Sequence, residues 1–80
     1  MLTDYLRAAM RQARYQILPD DKLYYGEIPA LPGVWASAAT LESCREELEK
    51  TLEDWILVRV AKSLDIPPVG GVEIPRVQSR

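Results

Sequence analysis

Tyr24-Tyr25-Gly26-Glu27-Ile28-Pro29-Ala30-Leu31-Pro32-Gly33-Val34-Trp35-Ala36-Ser37 reads as strand, tight corner and strand, and a long helical pattern opens just beyond it at Thr40. Residues 23–28 have strand composition. Pro29 and Pro32 withhold backbone donors from both a helix and an inner ladder, and Gly33 frees the chain to turn back into a strand over 34–39. The corner is therefore stiff. Two antiparallel strands joined by it, with a helix packed across them, make a scaffold that presents surface and edge.

Upstream, Leu2, Leu6, Ala9, Met10 and Ala13 recur at helical spacing, which predicts an amphipathic helix over 3–13 with Thr3 as its cap and Asp4 in its first turn. Arg7, Arg11 and Arg14 fall at i, i+4 and i+7 on another face, a basic stripe. Residues 14–18 switch to strand character, with Tyr15 and Ile17 opposite Gln16 and Leu18. Pro19-Asp20-Asp21-Lys22 then closes a hairpin into the strand at 23–28. Neither face of that second strand is cleanly polar, so cover is expected on both, and Gly26 marks either a bulge or a close backbone approach. In the third strand Val34, Ala36 and Ala38 alternate with Trp35, Ser37 and Ala39, and such small residues leave room for a helix to sit close.

Downstream, Thr40 is a good N-cap, and Leu41, Cys44, Leu48, Leu52, Trp55 and Ile56 follow at spacings of three and four. Arg45 with Glu49 and Glu46 with Lys50 are expected i, i+4 pairs. From Trp55 the helix becomes apolar almost all round, through Ile56, Leu57, Val58 and Val60, and a helix of that kind needs cover on more than one side. Ile66-Pro67-Pro68 ends it, Val69-Gly70-Gly71 reads as a flexible joint, and residues 72–77 read as a last short strand, returning by a right-handed crossover. The expected fold is α+β: an N-terminal helix, a three-stranded antiparallel meander, a long helix and a final strand (αβββαβ), in one domain over 1–80 with its core at about 14–77.

Eighty residues bury only about 60% of the surface their unfolded chain exposes, so self-association is a natural remedy. A net charge of −2 offers no overall attraction to phosphate, and a nucleic-acid role would have to be local. The chain has one cysteine and no histidine, which removes an intramolecular disulfide and any Cys/His metal set. No run reaches membrane-span length and the N-terminus lacks a signal-peptide profile, so the expected address is the cytoplasm. Cys44 lies on an apolar helix face without a base beside it and reads as a core residue. Asp20, Asp21 and Glu27 are turn and strand-end acids, commoner as such than as metal ligands. Gly70-Gly71 follows a helix where a phosphate loop would open one. Neither enzymatic activity nor any cofactor or metal is expected.

The ordered set Tyr25-Gly26-Glu27-Ile28-Pro29-Ala30-Leu31-Pro32-Gly33-Val34-Trp35-Ala36, Thr40-Leu41-Glu42, the Glu-rich helix to Trp55 and the Ile66-Pro67-Pro68 exit resembles the HicB-like antitoxin family over roughly residues 15–68. The resemblance implies a truncated ribonuclease-H-like fold without that enzyme's metal-binding carboxylates, and homo-oligomers, dimers or tetramers. It also implies neutralisation of a HicA-type toxin, a small mRNA-cleaving ribonuclease whose catalytic histidine the antitoxin masks. Many members continue into a segment that binds operator DNA; no basic helix follows here, so direct DNA binding is not expected, and the leading helix matches a short, stand-alone form. On this reading Tyr25, Glu27, Pro29, Leu31, Pro32 and Trp35 contact the toxin or shape the contact, Pro32 serving the corner in any case. Trp55, Ile56, Val58 and Val60 are assigned to oligomerisation. The alternative is a stand-alone oligomeric regulatory or nucleic-acid-binding module that uses Arg7, Arg11 and Arg14.

Overall fold

A computed structural model describes residues 2–72. The elements are α1 (Leu2–Arg11), β1 (Arg14–Leu18), β2 (Leu23–Glu27), β3 (Trp35–Ala38) and α2 (Leu41–Ala61). The strands form one antiparallel sheet in the order β1-β2-β3. This is the expected α+β meander between two helices; residues 73–77 of the expected final strand lie outside the described residues.

The corner between β2 and β3 is two consecutive β-turns. Leu31 N–H donates to the Ile28 carbonyl at 2.9 Å and Val34 N–H to the Leu31 carbonyl at 3.1 Å, while Ile28 N–H closes the corner onto the Val34 carbonyl at 3.2 Å. Each turn carries its proline at the second position, where a φ near −65° is already required. Gly33 has a φ of 96°, the left-handed value a type II turn demands one residue after its proline. Leu31, where the turns meet, is 0% exposed.

Register puts Tyr15, Gly26 and Ala36 in one row across the sheet, and Ile17, Tyr24 and Ala38 in the next. The ladder runs through Gly26 without a bulge, so its glycine serves a close approach. A Cβ at Gly26 would lie 2.8 Å from two ring carbons of Tyr15 and 3.2 Å from Cys44 Sγ. The Tyr15 ring thus covers the glycine across the strands, and α2 comes down on the same spot. The Cys44 thiol donates to the Ala36 carbonyl at 3.6 Å. It is buried, and burial pushes its pKa up, which keeps it in the inert thiol form.

Thr40 caps α2 as expected: its Oγ1 accepts from Ser43 N–H at 3.1 Å. Cys44, Leu48, Leu52 and Ile56 form the buried stripe and join Ile28, Leu31 and Val34 in one core. Burying a side chain such as Leu48 or Leu52 contributes about 1.5–3 kcal/mol. Leu41, expected on that stripe, is exposed at the first turn of the helix. On the outer face, among the described residues, an ion pair joins Lys50 to Glu47 at 4.0 Å, three residues apart, in place of the expected pairs four apart. Both partners are well exposed, so it adds little.

α1 begins at Leu2, which places Thr3 inside the first turn and not at the cap. Its buried residues are Tyr5, Ala8 and Ala9, with Leu6 and Met10 half-buried beside them. The two alanines allow close packing, and the Tyr5 hydroxyl donates to the Pro67 carbonyl, tying the chain beyond α2 back across α1. The expected flexible joint is instead an ordered two-residue turn. Val69 N–H donates to the Val72 carbonyl at 3.0 Å and Val72 N–H to the Val69 carbonyl at 2.9 Å. Gly70 and Gly71 have φ of 57° and 80°, the left-handed pair that a type I′ turn needs. Val69 itself is buried.

Replacing Tyr5 with Phe leaves the Pro67 carbonyl without its donor and is expected to lower unfolding free energy by about 1–2 kcal/mol, measured by urea denaturation. Burial raises the Tyr5 pKa above its ordinary value of 10.0. Its stability contribution is therefore complete below that ordinary value and is lost as pH climbs through the higher folded one, a decline that Tyr5→Phe should reduce. Gly26→Ala is expected to cost about 1–3 kcal/mol through overpacking. The cost should shrink in a Tyr15→Ala background if the ring is what the new methyl meets, and a double-mutant cycle reads that directly.

Candidate functional site

The face of the sheet away from α2 is open to solvent among the described residues. Arg14, Glu27 and Trp35 form one row across it, and Gln16, Tyr25 and Ser37 the next. All but the half-buried Tyr25 are exposed. The expected cover on both faces is therefore not supplied to this one by the described residues: the alternation of β2 sends Gly26 and Ile28 inward and leaves Tyr25 and Glu27 outside. Tyr25 and Trp35 are diagonal neighbours on adjacent strands, near enough for aromatic side chains to meet. Their rings stack with centroids 6.0 Å apart and planes at 28°. The Tyr25 hydroxyl donates to Glu27 Oε1 at 3.3 Å. Burial, and then the neighbouring Glu27 carboxylate, hold the Tyr25 phenol above its ordinary pKa. The result is an aromatic platform with a carboxylate at its edge, and Trp35 is 54% exposed.

Of the six residues expected at a partner contact, Tyr25, Glu27 and Trp35 share this platform, and Pro29 and Pro32 are exposed on the adjoining corner. Leu31 is buried between the two turns and anchors the corner, so of the two roles expected of it, contact or shaping the contact, its position suits the second.

The set expected at an oligomer contact divides in the same way. Val58 and Val60 are exposed, joined by Leu57 at 61% and by Leu64 just past the helix. Ile56 is buried in the core, and Trp55 packs half-buried against it. The Arg59 guanidinium lies 4.7 Å from the centre of the Trp55 ring, and its Nε donates to the Asp65 carbonyl at 2.7 Å. A helix apolar on every side shows no preferred core face in its sequence, so pattern alone does not separate Ile56 from Leu57 and Val58.

The basic stripe does not survive as one surface. α1 ends at Arg11 and β1 starts at Arg14, so the side-chain period changes between them and Arg14 lands on the open sheet face in the row of Glu27. Arg7 and Arg11 instead meet Arg45 of α2 around a cleft of about 450 Å³. Leu6, Met10, Ala13 and the Tyr15 ring, all half-buried, form its floor, and the exposed arginines stand at the rim with Glu49. Burial raises the Tyr15 pKa while the Arg45 guanidinium pulls against it. Arg45 joins this group only through the fold, since 34 positions separate it from Arg11.

Among the described residues no group of three or more His, Cys, Asp or Glu side chains converges to hold a metal ion. No helix among them is long and apolar enough to cross a membrane.

A search of curated proteins finds no match. Among solved structures, TTHA0281 from Thermus thermophilus is 45% identical and superposes with a TM-score of 0.90, covering 96% of this chain and 95% of that one. The family model described as UPF0150-like matches residues 4–67, and with four-fifths of its length inside that match the chain belongs to the UPF0150-like family.

Proposed function

We propose that this protein is a HicB-like antitoxin: a non-enzymatic binding protein that captures a HicA-type mRNA-cleaving toxin in the cytoplasm and blocks its active site. The observation that carries the reading is the Tyr25–Trp35 stack with Glu27 at its edge, on a sheet face that none of the described residues covers. Exposed aromatics held rigid before binding make strong interface anchors, because little side-chain freedom is lost on contact. A carboxylate beside them suits a basic partner, as a ribonuclease must be to hold RNA, and pairs well with a protonated catalytic histidine. The double-turn corner beside the platform is fixed by Leu31 and two prolines, so it adds shape without an ordering cost. Absence of enzymatic activity is supported by the raised, buried Cys44 thiol and by a composition without histidine. Kinship with the truncated ribonuclease-H-like fold rests on the motif resemblance.

Self-association belongs to the same reading. Leu57, Val58 and Val60 lie exposed on the C-terminal half of α2, next to Leu64. A homo-oligomer, dimer or tetramer, covers them and carries more than one platform.

Titrating the protein into the HicA-type toxin of its own genome, with calorimetry and residual RNA cleavage read in parallel, should give tight binding and lost cleavage. Trp35→Ala should weaken binding by about 2 kcal/mol or more without a change in circular dichroism, since Trp35 is exposed. Undiminished cleavage beside a folded, saturating antitoxin would overturn the proposal. Separately, Leu57→Glu with Val58→Glu should reduce the molecular mass in light scattering to that of one chain; an unchanged mass would place the oligomer contact elsewhere.

A further inference from the structure

The cleft between α1, β1 and α2 is used by neither the platform nor the exposed end of α2. It opens on the α2 side of the sheet, where Tyr15 points, and so lies across the sheet from Trp35. Three guanidinium groups and one carboxylate border it, giving it a positive balance within a chain of net charge −2. Neither Arg11 nor Arg45 has an ion-pair partner among the described residues. None of the described residues engages their forks in an ion pair, and guanidinium groups bind phosphate oxygens in pairs of parallel hydrogen bonds.

Two features narrow the anion. The floor is half-buried and apolar, with the Tyr15 ring braced on Gly26, so the occupant has an apolar, planar part as well as a charged one. A volume of about 450 Å³ falls in the range of small-molecule sites and is far short of an extended polymer groove. Glu49 at the rim repels a second carboxylate but accepts hydrogen bonds from hydroxyl or amino groups. That combination disfavours an acidic peptide and fits a ligand with phosphate at one end, hydroxyls in the middle and a flat heterocycle at the other.

We propose that the Arg7, Arg11 and Arg45 cleft binds a nucleoside monophosphate, with phosphate on the arginines, ribose hydroxyls on Glu49 and the base over the Leu6, Met10 and Tyr15 floor. The site is independent of the toxin reading, since it shares no residue with the platform.

Nuclear magnetic resonance titration of the full chain with AMP and UMP tests it, with inorganic phosphate and a glutamate-rich peptide as comparisons. Saturable shifts at Tyr15 and in α1 are expected with the nucleotides, weaker ones with phosphate, and none with the peptide. Arg11→Gln and Arg45→Gln should each weaken nucleotide binding about tenfold or more with the fold unchanged. Glu49→Gln should weaken nucleotide binding yet strengthen binding of inorganic phosphate, a divergence that loss of general positive charge cannot produce. A 3′-phosphorylated oligoribonucleotide that binds more tightly than the mononucleotide would identify an RNA end as the source; equal or weaker binding would identify the free nucleotide. No saturable binding at millimolar nucleotide, tighter binding of the peptide, or affinity indifferent to both arginine substitutions would overturn the proposal.

Discussion

The rest of the molecule depends on the missing side chain at Gly26. The space a Cβ would need there is claimed from two directions, by the Tyr15 ring along the sheet and by Cys44 Sγ from α2 above it. This contact sets how closely the helix lies on the strands. A small residue, Ala36, follows in the same row on β3, and the helix residue that meets both is a small, polarizable cysteine bonded to the Ala36 carbonyl. Once Cys44 is seated, the helical period carries Leu48, Leu52 and Ile56 along the core toward Leu31 and Tyr5. The same glycine seats Tyr15, which forms part of the floor of the arginine cleft.

A chain this short has a small core, and its distribution explains which surfaces are left open. The inward face of the sheet is covered by the first half of α2 except at its β1 edge, where Ile17 is exposed, while α1 and the Val69–Val72 turn close the far end. Tyr5 spans both, its ring in the core and its hydroxyl on the Pro67 carbonyl. Among the described residues nothing remains to cover the outer sheet face or the last turns of α2. The outer face carries polar side chains apart from the Tyr25–Trp35 platform and the half-buried Leu18–Leu23 pair at its end. The end of α2 exposes the large aliphatic side chains Leu57, Val58 and Val60, an arrangement that the proposed self-association would relieve.

Much of this is legible in the residues themselves. Pro29 and the Pro32-Gly33 pair announce the corner because each satisfies a dihedral requirement locally, and Thr40 announces the start of α2 because its side chain caps its own helix. β1 shows in its alternation. What stays hidden depends on distant partners. Leu31 sits between two turns, where no period says which way a side chain points. Tyr5 and Ala8 are buried although the apolar spacing of α1 passes them over, because the helix is oriented by α2 and by Pro67, both far along the chain. Gly70-Gly71 has the composition of a linker and of a type I′ turn alike, and only the pairing of Val69 with Val72 distinguishes them. A helical period groups Arg14 with Arg7 and Arg11 but stops three residues too early, and Arg45 is found only by folding the chain.

The platform and the cleft lie on opposite faces of one sheet, which limits how they influence each other. A ligand over Tyr15 and a partner seated on Trp35 would approach from opposite faces of the sheet. Any coupling has to pass through the sheet, and the shortest route is the pairing of Tyr15 with Gly26, whose chain neighbour Tyr25 carries the platform. That route is stiff, because the ladder on both sides of Gly26 is continuous and the space above it is full. Coupling requires a differential contact between two arrangements of such an element, and a close-packed ladder offers few. On the two proposals the surfaces would work independently, because the packed row of Tyr15, Gly26 and Ala36 lies between them.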